Sequence, residues 1–163
     1  MPFQGEFDTV TAPAVGGVVL SVLSALAAGK NGVPIAAVWA EKRGEGFVFD
    51  RMGFAEQLTG KRVLVLEDFL TTGGSVLKVC RAAAALGAKL VGVSVICNRG
   101  GVTAAQLGVP RLEALAAIDF SSVPPEECEL CRDRVPIVQD IGHGDSYKAE
   151  HPDYPGGYIK LAG

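Results

Sequence analysis

The chain has no run of like charge. Its 163 residues carry a net charge of −3, and nothing gathers lysines and arginines into the basic stripe of a nucleic-acid platform. Internal repeats and low-complexity segments are missing too. So are two phosphate-binding signatures. There is no G-x-x-x-x-G-K-[ST] loop and no G-x-G-x-x-G after a strand pattern, which sets aside the Walker A and dinucleotide classes. Cysteines are few. Cys80 lies in a helical pattern and Cys97 in a strand pattern, and both read as small core residues. Cys128-x-x-Cys131 has no second such pair, and His143 and His151 follow at a wider spacing than common zinc motifs use. Two reduced thiols in a turn are expected there, with a zinc site as the alternative.

Residues 11–28 contain no charge. Glu6 and Asp8 precede them, where a secretory signal needs basic residues. The stretch is slightly short for a membrane span, and Gly16 and Gly17 interrupt it. It is expected to form a buried loop and helix in a cytoplasmic protein without membrane or nucleic-acid partners. The 48% hydrophobic and 20% charged content suits one compact domain with a real core.

Apolar runs alternate with helical patterns. Strands are expected at 7–11, 33–40, 63–66, 89–97 and 109–116, the last near an edge. Helices are expected at 18–28, 75–86 and 102–107, with Gly29 and Gly87 as stops and Asn31-Gly32 as a turn. Residues 41–53 are polar and glycine-rich with little periodicity, and read as a mobile loop. Strands alternating with helices predict an α/β fold, a parallel sheet with right-handed crossovers and helices on both faces. From Ser121 the pattern dissolves among Pro124, Pro125, Pro136, Pro152 and Pro155. One domain spanning 1–163 is expected, with its core at about 9–120 and a short C-terminal arm at about 121–163.

The densest signal is Val63-Leu64-Val65-Leu66-Glu67-Asp68-Phe69-Leu70-Thr71-Thr72-Gly73-Gly74-Ser75. Four aliphatic residues of a buried strand run into two carboxylates at its carboxyl end, where open α/β sheets bind ligands. Glycines at 73 and 74 let backbone N–H groups approach an anion, and the helix that follows adds its positive N-terminus. Acids that grip hydroxyls beside a cradle that grips phosphate suit a ribose 5-phosphate.

This segment resembles the binding motif of the type I phosphoribosyltransferases, and the likeness narrows to the orotate phosphoribosyltransferases over residues 9–138. The resemblance implies a type I phosphoribosyltransferase fold, Mg²⁺ as cofactor, and phosphoribosyl pyrophosphate and a nucleobase as substrates. It also implies a homodimer whose catalytic loop serves the neighbouring site. It gives Glu67 and Asp68 the ribose hydroxyls, with Asp68 also helping the metal, directly or through water. Thr71, Thr72, Gly73, Gly74 and Ser75 take the 5-phosphate. The first loop, with Ala14, Val15 and Gly16, matches the pyrophosphate loop; some relatives carry lysine where Val15 stands. Ala40-Glu41-Lys42-Arg43-Gly44 resembles the entry to the catalytic loop, so Lys42 is the candidate pyrophosphate ligand, assisted by Arg43 and Arg51. Arg99 falls where relatives carry an arginine that meets the carboxylate of the base.

Relatives also carry several dozen residues ahead of the first loop, as a hood over the base, whereas only Met1 to Asp8 precede the core here. The phosphoribosyl half is therefore matched more fully than the base half, and the C-terminal arm is the candidate to compensate. The expected reaction transfers ribose 5-phosphate to orotate. The alternatives are a purine or other base, or a regulator that binds phosphoribosyl pyrophosphate or a nucleotide without catalysis.

Overall fold

Side chains along Arg62–Leu70 alternate between two cores. Val63 and Val65 pack with Val38, Val76, Val79 and Val93, while Leu64 and Leu66 pack with Phe3, Phe7, Val10 and Ala25. A strand covered on both faces reads as an unbroken apolar run, which is why no alternation is visible in the sequence here. Full burial of each such side chain contributes roughly 1.5–3 kcal/mol.

A computed structural model describes residues 2–29, 34–118 and 123–161. The chain divides into two compact units, Met1–Phe120 and Ser121–Gly163. In the first, β1 (Thr9–Pro13) leads to α1 (Gly16–Ala28), then β2 (Ala36–Arg43) and β3 (Gly46–Val48). β4 (Arg62–Leu70), α2 (Gly74–Ala85), β5 (Lys89–Asn98), α3 (Ala104–Leu107) and β6 (Leu112–Ala117) follow. The six strands lie in the order β3-β2-β1-β4-β5-β6. All neighbours are parallel except β2 and β3. α1 covers one face through Leu20, Ala25 and Ala28, and α2 covers the other through Val76, Val79, Cys80 and Ala83. The expected parallel α/β fold with helices on both faces is thus found.

Strand order reverses between β1 and β4, which pair in parallel with Val10 opposite Leu64. Their carboxyl ends therefore open on the same edge, the place where such sheets bind ligands.

Several elements depart from the sequence reading. Residues 41–48, expected within an irregular loop, belong to an antiparallel hairpin with Lys42 opposite Phe47. Phe47 and Phe49 pack into the α2-side core and Trp39 meets Phe54 edge-on at 4.9 Å, so alternate aromatics order a segment whose glycines disguised it. β4 continues through both carboxylates to Leu70 instead of ending before them.

Helix α1 is only half-buried. Gly17, Ser21 and Ala25 face inward, whereas Val19, Leu23 and Leu26 are exposed. Its close seat follows from Gly17, where a methyl group would lie 2.3 Å from Ala12 Cβ. β1 starts at Thr9 because Phe3 and Phe7 turn into the α1-side core ahead of it. The expected Asn31-Gly32 turn and Val33 lie outside the described residues. No helix among the described residues is long and apolar enough to cross a membrane.

In the second unit, α4 (Glu129–Arg132) and α5 (Gly144–Glu150) accompany a two-stranded parallel ribbon of β7 (Ile137–Val138) and β8 (Tyr158–Ile159). Tyr147 contacts His151 and Tyr154, with ring centroids 4.4 and 6.1 Å apart. The Tyr154 hydroxyl donates to the Val135 carbonyl at 2.9 Å.

Candidate active site

The loop after β4 makes a small concavity of about 70 Å³, lined by Glu67 and residues 69–76. Gly73 stands just before α2 at φ 75°, a left-handed conformation that glycine adopts without cost. No side chain caps α2 at Gly73 and its first turn holds no acid, so the N–H groups of that turn other than Gly74's remain open to an anion. The Thr72 hydroxyl accepts a bond from the Gly74 N–H at 3.4 Å, shaping the turn. Behind Gly73, a Cβ would meet Val102 at 3.0 Å and Leu107 at 3.1 Å, so α3 and the turn before it back the cradle.

The first loop has the same character. Val15 precedes α1 with no side-chain cap and no acid in the helix's first turn, and the Ala14–Val15 peptide is cis. The Ala14 N–H donates to the Ala40 carbonyl at 2.8 Å, tying this loop to β2. A Cβ on Gly16 would lie 3.6 Å from Asp68 Oδ2. The fold thus sets the Asp68 carboxylate against the first loop, half a hundred residues away in sequence.

Asp68 and Glu67 differ sharply in setting. The Asp68 side chain is exposed, and its Oδ1 accepts the Phe69 N–H at 2.7 Å. Glu67 is only 9% exposed. Burial pushes its carboxyl up to about 7, Asp68's charge and side chain push in the same direction, and the Asp68 N–H bond opposes them.

The cations of the hairpin are tied to acids. Arg43 pairs with Asp50 and Arg51 with Glu41, each at 2.6 Å. Arg51 also lies over the Trp39 ring at 5.3 Å. Lys42 is exposed and has no ion pair among the described residues. Its strand extends beyond Ala40, the residue level with Pro13. Hairpin and first loop therefore flank the same edge, without a direct contact from Lys42 to the acids. Lys78 of α2 reaches Glu45 in the hairpin turn at 3.8 Å.

Arg99 follows β5. Its N–H donates to the Leu70 carbonyl at 2.9 Å, and its exposed guanidinium forms no ion pair among the described residues. The sequence reading missed its neighbour Gly100, where a Cβ would come 1.6 Å from the Thr71 carbonyl oxygen. The Gly100-Gly101 pair after a strand pattern was the available turn signal. Asn98 closes this turn by bonding both the carbonyl and the N–H of Val102, at 2.7 and 3.1 Å. Beside the acids, an apolar cavity of about 190 Å³ opens on the α1 face, lined in part by Phe3, Phe7, Leu66, Glu67, Ile96 and Leu115.

Among the described residues, no three His, Cys, Asp or Glu side chains gather closely enough to hold a metal ion. The zinc alternative for Cys128 and Cys131 with His143 and His151 therefore finds no assembled ligand set.

Residues 2–116 match the phosphoribosyl transferase domain. The chain belongs to that family. An orotate phosphoribosyltransferase from Thermus thermophilus is 47% identical over 138 residues, covering 84% of this chain and 71% of that protein. One from Pelotomaculum thermopropionicum is 38% identical over 138 residues, covering 84% and 68%. Among solved structures, Mycobacterium tuberculosis orotate phosphoribosyltransferase in complex with 5-phospho-α-D-ribosyl 1-diphosphate superposes with a TM-score of 0.56 at 26% identity. That match covers 70% of this chain and 64% of the other, so the chain spans slightly less than two thirds of that relative's length. The phosphoribosyltransferase fold and family expected from the β4 motif are thereby established.

Proposed function

We propose that this phosphoribosyltransferase uses phosphoribosyl pyrophosphate to convert orotate to orotidine 5′-monophosphate, releasing pyrophosphate. The carrying observation is the approach of Gly16 to Asp68, which sets two uncapped helix N-termini around one carboxylate-bearing edge. The identity to orotate phosphoribosyltransferases supports the choice of base.

In this reading, the 5-phosphate occupies the N–H cradle of Thr71, Thr72, Gly73, Gly74 and Ser75. The neighbouring Glu67 and Asp68 accept hydrogen bonds from the ribose hydroxyls. The first loop, Ala14, Val15 and Gly16, receives the pyrophosphate. Arg99 meets the carboxylate of the base through its two-pronged guanidinium. The base nitrogen attacks C1 as the bond to the pyrophosphate oxygen breaks. Lys42, with Arg43 and Arg51, stabilises negative charge growing on the leaving group. Arg43 and Arg51 must exchange Asp50 and Glu41 for phosphate oxygens.

Magnesium fits this donor set. Adjacent carboxylates without a three-ligand cage suit an ion that keeps its waters and leans on substrate phosphates. Asp68 would hold it, directly or through water, and the ion would offset charge on the pyrophosphate. A homodimer is part of the proposal, supported by the exposed Val19, Leu23 and Leu26 on α1. A cytoplasmic setting is proposed with it.

The test is a panel of orotate, uracil, adenine, hypoxanthine and guanine, each incubated with protein, Mg²⁺ and phosphoribosyl pyrophosphate. Nucleotide formation from orotate alone is expected. Product from a purine instead would replace the base assignment. Binding of phosphoribosyl pyrophosphate without product from any base would favour a regulator.

A further inference from the structure

The transferase reading leaves Cys128 and Cys131 unused. We propose that they form a reactive dithiol that closes into an intramolecular disulfide by exchange with a small-molecule disulfide such as oxidised glutathione. The two residues flank the first turn of α4: Cys128 immediately precedes the helix and Cys131 is its third residue. The Arg132 N–H closes this turn onto the Cys128 carbonyl at 3.0 Å, and residues three apart on a helical turn lie close enough for a disulfide to bridge. Both cysteines are partly exposed, whereas Cys80 and Cys97 are buried. Among the described residues, no third metal-ligating side chain joins them.

Position divides the roles: Cys128 stands in extended backbone ahead of the helix, whereas Cys131 lies within it. In keeping with this, the neighbouring Cys131 N–H and thiol hold the Cys128 thiol below its ordinary range, and Cys128 pushes the Cys131 thiol up. Cys128 is therefore the attacking thiolate and Cys131 the resolving thiol. In the first step the Cys128 sulfur bonds one sulfur of glutathione disulfide, the glutathione S–S bond breaks, and one glutathione leaves and takes a proton. Cys131 then loses its proton, attacks the Cys128 sulfur and expels the second glutathione. The chain loses two protons and two electrons, and the glutathione disulfide gains both. Cys80 supplies an internal control, because burial pushes its thiol up to about 11.

The experiment equilibrates the reduced full chain with glutathione redox buffers at pH 7, blocks remaining thiols with an alkylating reagent, and maps them by peptide mass. The expected result is a two-thiol loss confined to Cys128 and Cys131, with Cys80 and Cys97 recovered as alkylated free thiols. In Cys131→Ser, a glutathione adduct should accumulate at Cys128 because the resolving thiol is gone. The proposal is overturned if the wild-type pair stays reduced across the buffer series. It is equally overturned if the disulfide involves Cys80 or Cys97, or if Cys131→Ser forms no adduct at Cys128.

Discussion

Gly100 abuts Thr71 so closely that a methyl group there would lie 1.6 Å from the Thr71 carbonyl oxygen. The turn after β5 and the anion cradle after β4 are thus fitted together with no room for a side chain. Backbone cannot yield as a flexible side-chain tip can, so one of the two loops must move. Gly100→Ala should destabilise the fold by about 1–3 kcal/mol, the range for overpacking, and weaken phosphate binding. At Gly101 nothing lies within 4 Å and only its φ of 62° is strained by a side chain, so Gly101→Ala should cost about 1 kcal/mol. Thermal denaturation and calorimetric titration with a 5′-phosphorylated ligand check both.

Asp68 is exposed at a strand end and takes no part in the core. Asp68→Asn should therefore keep the melting temperature near wild type and lower kcat/KM by at least about a hundredfold. Near-wild-type kcat/KM in the folded variant would remove Asp68 from the site.

Glu67 gives a pH signature. Its carboxyl rises from an ordinary 4.5 to about 7 in the folded chain, so the folded state binds more protons than the unfolded state between those values. Its contribution to stability is present below the lower value, falls as pH rises through the window, and is flat above it. Glu67→Gln should flatten that slope, a change of about 1–2 kcal/mol after solvent screening. Denaturant titrations from pH 4 to 8 would show it.

Lys42 is exposed and without an ion pair among the described residues, unlike Arg43 and Arg51. Lys42→Ala should lower kcat more than ground-state binding, losing about 2–4 kcal/mol of transition-state stabilisation. If the hairpin serves a neighbouring subunit, mixing Lys42→Ala with Asp68→Asn should restore activity at one site per mixed dimer. Subunit exchange is checked by mass spectrometry of the mixture. Exchange without recovered activity would confine each site to one subunit.

The sheet and the site's main motif were legible because β4 is buried on both faces and its loop chemistry is dense. Acids, threonines and glycines there each serve a local need that sequence displays. The hairpin was not legible. Phe47 and Phe49 point inward between Gly44, Gly46 and Gly53, and so few alternations carry little periodic signal. Nor was the exposure of α1, since Val19 and Leu23 look no different in sequence from residues that face a core. Gly100 was passed over because its role depends on Thr71, which only the parallel pairing of β4 with β5 brings alongside.

The most direct test of the account is product analysis by mass spectrometry with orotate, Mg²⁺ and phosphoribosyl pyrophosphate, comparing wild type with Asp68→Asn. The account predicts orotidine 5′-monophosphate and pyrophosphate in equal amounts from wild type and almost none from the folded variant. Phosphoribosyl pyrophosphate left intact by folded wild-type protein, with orotate unconsumed, would contradict it.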